Sequence, residues 1–292
     1  MIMKLEPIFK ETLWGGEKLK TRFGFKTPYE KTGEVWCISG LKDQANRIEN
    51  TTFSGKTLYD LWQEERHLFG GKEGDYFPIL VKLIDANQDL SIQVHPDNAK
   101  AREKGSLGKT ECWTILDCEK DSTIIIGHNA STLDELKTAI EEKRVLDIVN
   151  ELPIKKDDFF FIDAGTLHAI KGGTLLLEVQ QSSDITYRFY DYERLDNGKP
   201  RPLHIDEALG VVKVPDRDIK TSLETKYFDI LFVNVAQSVF RKSHQHGDFV
   251  TVLDGEGYID NILAKKGMSF FISSQTAYQV TGNVSLAIAL IM

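Results

Sequence analysis

Four polar side chains that could bind one metal ion are spread over three short segments of the chain. The segment SIQVHPD places Gln93 and His95 two residues apart, and on a β-strand such residues point to the same face. GKTECW adds Glu111 at the entry to the next strand, and DAGTLHAI adds His168 after a turn. Two imidazoles, a carboxylate and an amide oxygen form a set of ligands that suits a divalent ion, with zinc the leading candidate.

Each of these residues also has an ordinary structural explanation. Gln93 could be the polar residue of an edge strand, and the segment from His95 to Asp97 could be a turn that ends this strand. Glu111 could pair with the nearby Lys109. Spacing along the chain excludes none of these explanations, because it does not show whether the four side chains meet.

The elements that would position these side chains are mostly short β-strands. Before residue 200 the apolar runs are PILVKLI (78–84), LSIQV (90–94), CWTILDC (112–118), TIIIG (123–127), FFFI (159–162) and TLLLEVQ (174–180). After residue 220 they are FDILFVNVA, DFVTVLDG, GYIDNIL, MSFFIS and VSLAIALI. Many short strands with few helices favour an antiparallel sandwich or jelly roll over a parallel α/β sheet.

Two segments have helical spacing instead. KTLYDLWQEERHLFGG would end at Gly70 and Gly71, and STLDELKTAIEEKRVLDIVNELP begins with a candidate capping box of Thr132 and Glu135. The polar stretch VPDRDIKTSLETKY (214–227) is the best candidate for a domain boundary. We therefore predict a metal-binding β domain at 1–215, with helical insertions at about 56–70 and 132–150, and a smaller β domain at 216–292.

The composition limits the partners of the protein. The 292 residues carry a formal net charge of −8, which argues against a general surface for nucleic acid. The longest strongly apolar stretch, VSLAIALIM, is too short to span a bilayer, and the N-terminus lacks the apolar segment of a signal peptide. Three cysteines without a CxxC pair indicate reduced thiols. We expect a cytoplasmic protein without nucleic-acid or membrane partners.

A second pair of histidines, His244 and His246, resembles the start of another metal motif. Only Asp248 offers a carboxylate within the next few residues, and no histidine follows His246. We therefore predict that the second domain has no metal site.

The motifs QVHPD, KTECW, DAGTLHAI and EVQQSSDITYRFYD occur in the order found in type I mannose-6-phosphate isomerases, and the chain resembles their shorter bacterial form. The resemblance extends from TLWGG (12–16) to HIDEAL (204–209). It implies a cupin jelly roll followed by a second cupin-like domain. It also implies one zinc ion per chain, held by Gln93, His95, Glu111 and His168.

The second cupin motif departs from the usual Pro-x-Gly-x-x-His at one position. Asp163 stands where proline is usual, while Gly165 keeps the tight turn that brings His168 inward. The first motif departs further, because Gln93 stands where histidine is usual and a longer segment separates His95 from Glu111.

The resemblance also implies a reaction and its residues. The chain would interconvert mannose 6-phosphate and fructose 6-phosphate, moving a proton between C1 and C2 through an enediol or enediolate. Arg188 matches the arginine that would stabilise the oxyanion or hold the substrate. Asp184 matches the aspartate that would take part in proton transfer or position Arg188, although the two could form an ordinary ion pair.

Ser91 and Lys109 each lie two residues from a predicted metal ligand, so on a strand they would face the same cavity. The resemblance places both near the substrate, where Lys109 could bind a phosphate or sugar oxygen as a point charge; a solvated lysine at a strand edge is the alternative. The base that moves the proton stays open among Asp184, Lys109 and a metal-bound water.

Two other functions are compatible with these residues. An iron-dependent cupin dioxygenase would use similar ligands, and a non-catalytic cupin that binds a sugar phosphate would keep the fold and the pocket. Manganese or cobalt could replace zinc. The sequence leaves open whether the protein is a monomer or a homodimer, how strictly it selects mannose, and the physiological direction of the reaction.

Overall fold

Antiparallel β-strands form most of the structure, a computed structural model that describes residues 1–196 and 198–292. The strands are β1 (Ile2–Leu5), β2 (Ile8–Lys10), β3 (Glu34–Leu41), β4 (Gln44–Ala45), β5 (Ile79–Ala86), β6 (Ile92–Val94), β7 (Glu111–Cys118), β8 (Thr123–His128), β9 (Val149–Pro153), β10 (Phe159–Ile162), β11 (His168–Ile170), β12 (Thr174–Gln181), β13 (Tyr187–Tyr190), β14 (Leu195–Asp196), β15 (Lys199–Pro200), β16 (Phe228–Val235), β17 (Ser238–Lys242), β18 (Asp248–Ile259), β19 (Ile262–Lys265), β20 (Ser269–Ile272) and β21 (Ala277–Ile291). This arrangement confirms the prediction of a mainly β protein.

Short helices fill the connections between the strands. They are α1 (Lys18–Phe23), α2 (Leu58–Glu64), α3 (Asn98–Arg102), α4 (Leu133–Glu141) and α5 (Ile205–Leu209), with 3₁₀ turns at Arg66–Phe69 and Val145–Asp147. None of the helices in the described part of the chain is both long and apolar enough to cross a membrane. The apolar C-terminal run lies in β21, as a buried strand of a sheet.

The predicted capping box of α4 is half right. The Thr132 hydroxyl accepts a hydrogen bond from the Glu135 N–H at 3.2 Å, as expected for an N-cap. The Glu135 carboxylate, however, accepts from the Ser131 N–H at 2.7 Å. The acidic side chain therefore satisfies a donor one residue before the cap, and the reciprocal bond to Thr132 is not made.

Two sheets face each other in the first part of the chain. The first sheet has the order β10-β7-β12-β5-β3-β2, with β4 added to β3, and the second has the order β13-β6-β11-β8-β9. Trp113 and Leu176 of the first sheet pack with Ile126 and Ile170 of the second. Because buried apolar residues hold the two sheets together, polar side chains on their inner faces are brought into one enclosed space.

A third sheet forms around the C-terminal strands, in the order β1-β20-β18-β21-β16, with β17 and β19 paired to its long strands. Phe249 and Phe271 of this sheet pack with Phe69 and Val81 of the preceding part of the chain. The four residues of β1 join this sheet through β20. The division into domains at residues 215 and 216 stays a prediction.

Candidate metal centre and its cavity

Strands of both facing sheets bring the predicted metal ligands to one point. β6 pairs with β11 so that Gln93 lies opposite His168, and His95 is the residue directly after β6. Glu111 begins β7 in the first sheet, opposite Ile162 of β10. Because β6 lies between β13 and β11, Gln93 is not on an edge strand, which excludes that alternative explanation.

Three of the four side chains form a compact buried cluster. The Nε2 atoms of His95 and His168 lie 3.2 Å apart, and each lies 3.6 Å from a carboxylate oxygen of Glu111. All three residues are almost completely buried. Among the described residues, they form the group whose ligand atoms are close enough to hold one ion.

Hydrogen bonds to the main chain fix the orientation of both imidazoles. The His95 Nδ1–H donates to the Ile185 carbonyl at 2.8 Å, and the His168 Nδ1–H donates to the Thr166 carbonyl at 2.8 Å. Each ring therefore turns its Nε2 lone pair toward the cluster, as metal-binding histidines do. Burial, and then the charge of Lys109, lower the pKa of His168 to about 4 and that of His95 well below its usual value. Both rings are thus neutral at pH 7.

Gln93 completes the set at the edge of the cluster. Its amide nitrogen lies 3.5 Å from His168 Nε2, and its amide oxygen accepts a hydrogen bond from the Ser91 hydroxyl at 3.1 Å. A half-turn of the amide about its last torsion exchanges the two atoms, so that an oxygen can face the imidazoles. Gln93 is therefore within reach as a fourth ligand.

The carboxylate of Glu111 favours a cation in the cluster. Lys109 supplies one here: its Nζ lies 3.0 Å from His95 Nε2 and contacts Glu111 Oε2, so the alternative pairing of Lys109 with Glu111 does occur. The second carboxylate oxygen, Oε1, is buried without a hydrogen-bond partner. Burial and the nearby Glu178 raise the pKa of Glu111, because they outweigh the attraction of Lys109.

The donor set fits zinc. Ligand atoms at tetrahedral angles around zinc, each about 2.1 Å from it, would lie about 3.4 Å apart, close to the observed separations of 3.2 and 3.6 Å. Two neutral imidazoles with inward lone pairs, together with an unpartnered carboxylate oxygen, are the ligands that this ion prefers. The residues present therefore fit a single zinc ion.

A row of charges, two of them buried and one partly buried, lies beside Lys109, and sequence reasoning missed it. Glu34, Lys82 and Glu178 come from β3, β5 and β12, and Lys82 lies directly opposite Glu178. The Lys82 Nζ is 3.1 Å from Glu178 Oε1 and 3.7 Å from Glu34 Oε2, and Trp113 Nε1–H donates to Glu178 Oε2 at 3.1 Å. The available signal was a single charge inside an otherwise apolar strand, as in PILVKLI and TLLLEVQ.

Electrostatics keep Lys82 and Glu178 ionised despite their burial. Burial would lower the pKa of Lys82, but the carboxylates of Glu178 and Glu34 outweigh it and raise that pKa. Burial would likewise raise the pKa of Glu178, but the ammonium groups of Lys109 and Lys82 outweigh it and lower that pKa. Lys82 and Glu178 therefore place fixed charges next to the candidate metal centre.

A cavity of about 710 Å³ lies beside the cluster, with Gln93 and Lys109 in its wall. Its lining includes all four remaining predicted site residues and several other charged groups: Ser91, Lys109, Asp184, Arg188, Glu34, Lys82, Glu178 and Arg201. Arg188 lies opposite Gln93 in the pairing of β13 with β6, and its Nε is buried without a partner. Burial, and then repulsion from Arg201, lower the pKa of Arg188.

The alternative of an Asp184–Arg188 ion pair is not realised, because within the described residues no salt bridge joins these two side chains. Both line the cavity separately.

The second histidine pair lies just before the third sheet's strand β18. His244 Nδ1 lies 3.1 Å from Asp248 Oδ1, and His246 Nδ1–H donates to the Phe69 carbonyl at 3.0 Å. These contacts give the second histidine pair structural partners.

Comparisons with known proteins agree with this geometry. A family model for the catalytic domain of type I phosphomannose isomerase matches residues 2–111. The mannose-6-phosphate isomerase ManA of Bacillus subtilis is 43% identical over 269 residues, covering 86% of this chain and 85% of the relative. The mannose-6-phosphate isomerase of Streptococcus mutans is 42% identical over 216 residues, covering 72% of this chain and 68% of the relative.

Solved structures have the same fold over almost the whole chain. The mannose 6-phosphate isomerase from Bacillus subtilis superimposes with a TM-score of 0.95 at 38% identity, over 99% of both chains. A zinc-bound mannose 6-phosphate isomerase shares the fold at 18% identity, with a TM-score of 0.78 over 99% of both chains. The mainly β architecture is accordingly that of the cupins. With two fifths of its residues shared with curated relatives over most of its length, the chain belongs to the type I phosphomannose isomerase family.

Proposed function

We propose that this protein is a zinc-dependent aldose–ketose isomerase that interconverts mannose 6-phosphate and fructose 6-phosphate through an enediol or enediolate. The observation that carries the proposal is the buried cluster of His95, Glu111 and His168 beside a charged cavity. Membership of the family, whose curated relatives are named for this activity, supports the choice of substrate.

One zinc ion per chain would be held by four side chains: Gln93, His95, Glu111 and His168. When bound, the ion would supply positive charge that stabilises the oxygen on which negative charge develops during the reaction. The Lys109 ammonium contacts the other oxygen of the Glu111 carboxylate, Oε2, so we expect it to turn toward Glu178, whose Oε2 lies 4.0 Å away.

Lys109 and Asp184 are the proposed carriers of the proton between C1 and C2. Lys109 is almost fully buried next to the metal ligands and contacts the Glu111 carboxylate, which brings its amine into the site as a general acid or base. Asp184 lines the same cavity without an ion pair to Arg188. Both residues therefore line the cavity in which we expect the substrate to bind.

Arginines would bind the charged oxygens of the substrate. Arg188 lies opposite Gln93 in the pairing of β13 with β6, and this position supports its assignment to the oxyanion. Arg201 lines the same cavity, and its only salt bridge among the described residues is a 3.5 Å contact with Asp191. We assign Arg201 to the substrate phosphate, since a guanidinium binds phosphate oxygens through two parallel hydrogen bonds. Ser91 would contribute a hydroxyl to a sugar oxygen.

Substrate comparison with purified, zinc-loaded protein tests this proposal. We expect conversion of mannose 6-phosphate to fructose 6-phosphate, with kcat/KM for free mannose lower by about 100-fold or more, because the phosphate contacts are lost. Absence of any conversion of mannose 6-phosphate, with zinc demonstrably bound, would contradict the proposed reaction.

A further inference from the structure

The segment of residues 211–220, which we call the connector, lies against the outer side of the turn that carries His168. The Lys213 N–H donates to the Gly165 carbonyl at 2.8 Å, and the Leu167 N–H donates to Asp216 Oδ2 at 2.9 Å. On the strand just before the turn, the Phe161 N–H donates to the Lys220 carbonyl at 2.9 Å. Main-chain groups before and within the turn are thus bound by one segment.

Ion pairs reinforce these contacts at the position where the cupin motif usually has proline. The Asp163 carboxylate lies 2.9 Å from Lys220 Nζ and 3.3 Å from Lys213 Nζ. The Lys213 Nζ also donates to the Thr166 hydroxyl at 3.4 Å. Two cations of the connector therefore hold the start of a turn that proline would otherwise stiffen.

The turn fits the connector so closely that it has no room for a side chain at Gly165. A Cβ there would lie 2.8 Å from the Val211 carbonyl oxygen, and the φ angle of 88° is in any case strained for other residues. The connector and the turn are therefore packed main chain against main chain.

Asp216 is itself fixed to the sheet that contains His168. Its carbonyl accepts a hydrogen bond from the His128 N–H at 2.7 Å, at the end of β8, and β8 pairs with β11. Its side chain, on a residue only 5% exposed, then holds the amide of Leu167, the residue before His168. The neighbouring Thr166 carbonyl is the group that orients the His168 ring.

We propose that Asp216 is a positioning residue for the metal centre: through the Leu167 amide it holds the 163–168 turn, and so sets the orientation of His168 toward the ion. Lys213 and Lys220 act with it through Asp163. The inference rests on the metal site of the proposed function. It adds that the connector leading to the third sheet tunes metal affinity through hydrogen bonds and ion pairs to the turn.

Zinc affinity of the metal-free protein tests this role directly. Wild type, Asp216→Ala and Asp216→Asn are stripped with a chelator and titrated with zinc against a chromophoric competitor, and cobalt absorption spectra are recorded in parallel. We expect Asp216→Ala to raise the dissociation constant for zinc by about tenfold or more and to alter the cobalt spectrum, as loss of a supporting contact typically does. Asp216→Asn, which keeps an oxygen acceptor for Leu167, should stay within about threefold of wild type.

The matched control is Asp260→Ala. Asp260 Oδ1 accepts a main-chain hydrogen bond from Gln279 at 2.8 Å in the third sheet, so this variant removes the same kind of bond far from the metal centre and should leave zinc affinity unchanged. Unchanged affinity in Asp216→Ala, or an equal loss in Asp216→Ala and Asp216→Asn, would overturn the proposal.

If Asp216→Ala does not fold, the zinc affinity of Lys220→Ala tests the proposal instead. It removes the nearer cation of Asp163 from a half-exposed position, and we expect severalfold weaker zinc binding; wild-type affinity would overturn the proposal. Failure of the proposed function would look different, since the wild type would then bind zinc without isomerising mannose 6-phosphate.

Discussion

Lys109 contacts the carboxylate that a bound metal ion would also use at the centre of this site. The ammonium contacts Glu111 and lies 3.0 Å from His95 Nε2, so it neutralises the cluster much as a divalent ion would. Glu178, with its pKa lowered by Lys109 and Lys82 after the opposing effect of burial, provides a second anionic partner. A lysine between two carboxylates can therefore respond to metal binding, which links occupancy of the metal centre to the side chain proposed to move the proton.

Arg188 provides the sharpest prediction for a single residue. Arg188→Lys keeps a positive charge but loses the planar fork that binds two oxygens at once. We expect it to retain zinc and to lose about 100-fold in kcat/KM for mannose 6-phosphate, the size of effect seen when one oxyanion contact is removed. Steady-state kinetics and metal analysis of the same preparation measure both quantities.

Arg144→Lys is the control for this substitution, because Arg144 is exposed beyond the end of α4 and lies outside the cavity. Loss of zinc from Arg188→Lys would show that Arg188 has been misplaced in the site. Unchanged kinetics would show that its guanidinium does not contact the substrate.

At the scale of elements, the ionisation of Asp216 in the connector makes the stability of the folded protein depend on pH. Burial raises the pKa of Asp216 to about 6 from its ordinary value of 3.8, even though the hydrogen bond from Leu167 opposes this. A carboxyl whose pKa is raised on folding stabilises the folded state fully below its unfolded pKa, and this contribution is lost as pH rises through the folded pKa. The loss therefore falls between about pH 4 and pH 6.

The direction of this pH dependence gives a prediction for Asp216→Asn, whose side chain cannot ionise. The Tm of metal-free Asp216→Asn minus that of metal-free wild type should increase between pH 4 and pH 7, because only the wild type must bury a charge at the higher pH. Thermal unfolding followed by circular dichroism measures the difference. A Tm difference that is constant, or that decreases over this range, would contradict the raised pKa.

Elements with a long apolar run were predictable from the sequence, and elements defined by their partners were not. β5 and β12 match the runs PILVKLI and TLLLEVQ closely. The four-residue β13 was not predicted, because its TYRFYD segment becomes a strand only by pairing with β6. The row of Glu34, Lys82 and Glu178 was missed for a related reason: its charges meet through the register of strands that are distant in sequence.

The residues of the candidate site were likewise predictable from the sequence, but the strand pairing that brings them together was not. The sequence contains the four residue types, and β-strand alternation puts Gln93 and His95 on one face, but only the pairing of β6 with β11 brings His168 opposite Gln93. The assignment of Arg188 and Asp184 came from the family resemblance and not from spacing. Their separate positions in the cavity wall could not be read from residues four apart in the chain.

At the scale of the whole molecule, aromatic rings join the third sheet to the rest. Phe271 stacks on Phe69 with ring centroids 4.6 Å apart and on Phe249 at 4.9 Å. We expect Phe271→Ala to lower the free energy of unfolding by about 3–5 kcal/mol, as for other buried phenylalanines, while leaving one zinc per folded chain. Urea unfolding monitored by fluorescence measures this change.

Phe240→Ala is the matched control, since Phe240 is 79% exposed on β17 of the same sheet and should change stability by less than about 0.5 kcal/mol. Equal small effects of both substitutions would mean that the third sheet does not depend on this aromatic contact.

The central claim is that metal bound at the His95, Glu111 and His168 cluster makes this chain an isomerase, and removal followed by restoration of zinc tests it most directly. Conversion of mannose 6-phosphate to fructose 6-phosphate should disappear on chelation and return in proportion to added zinc, reaching its full value at one ion per chain. Conversion that persists in protein shown by metal analysis to be free of zinc would contradict the account.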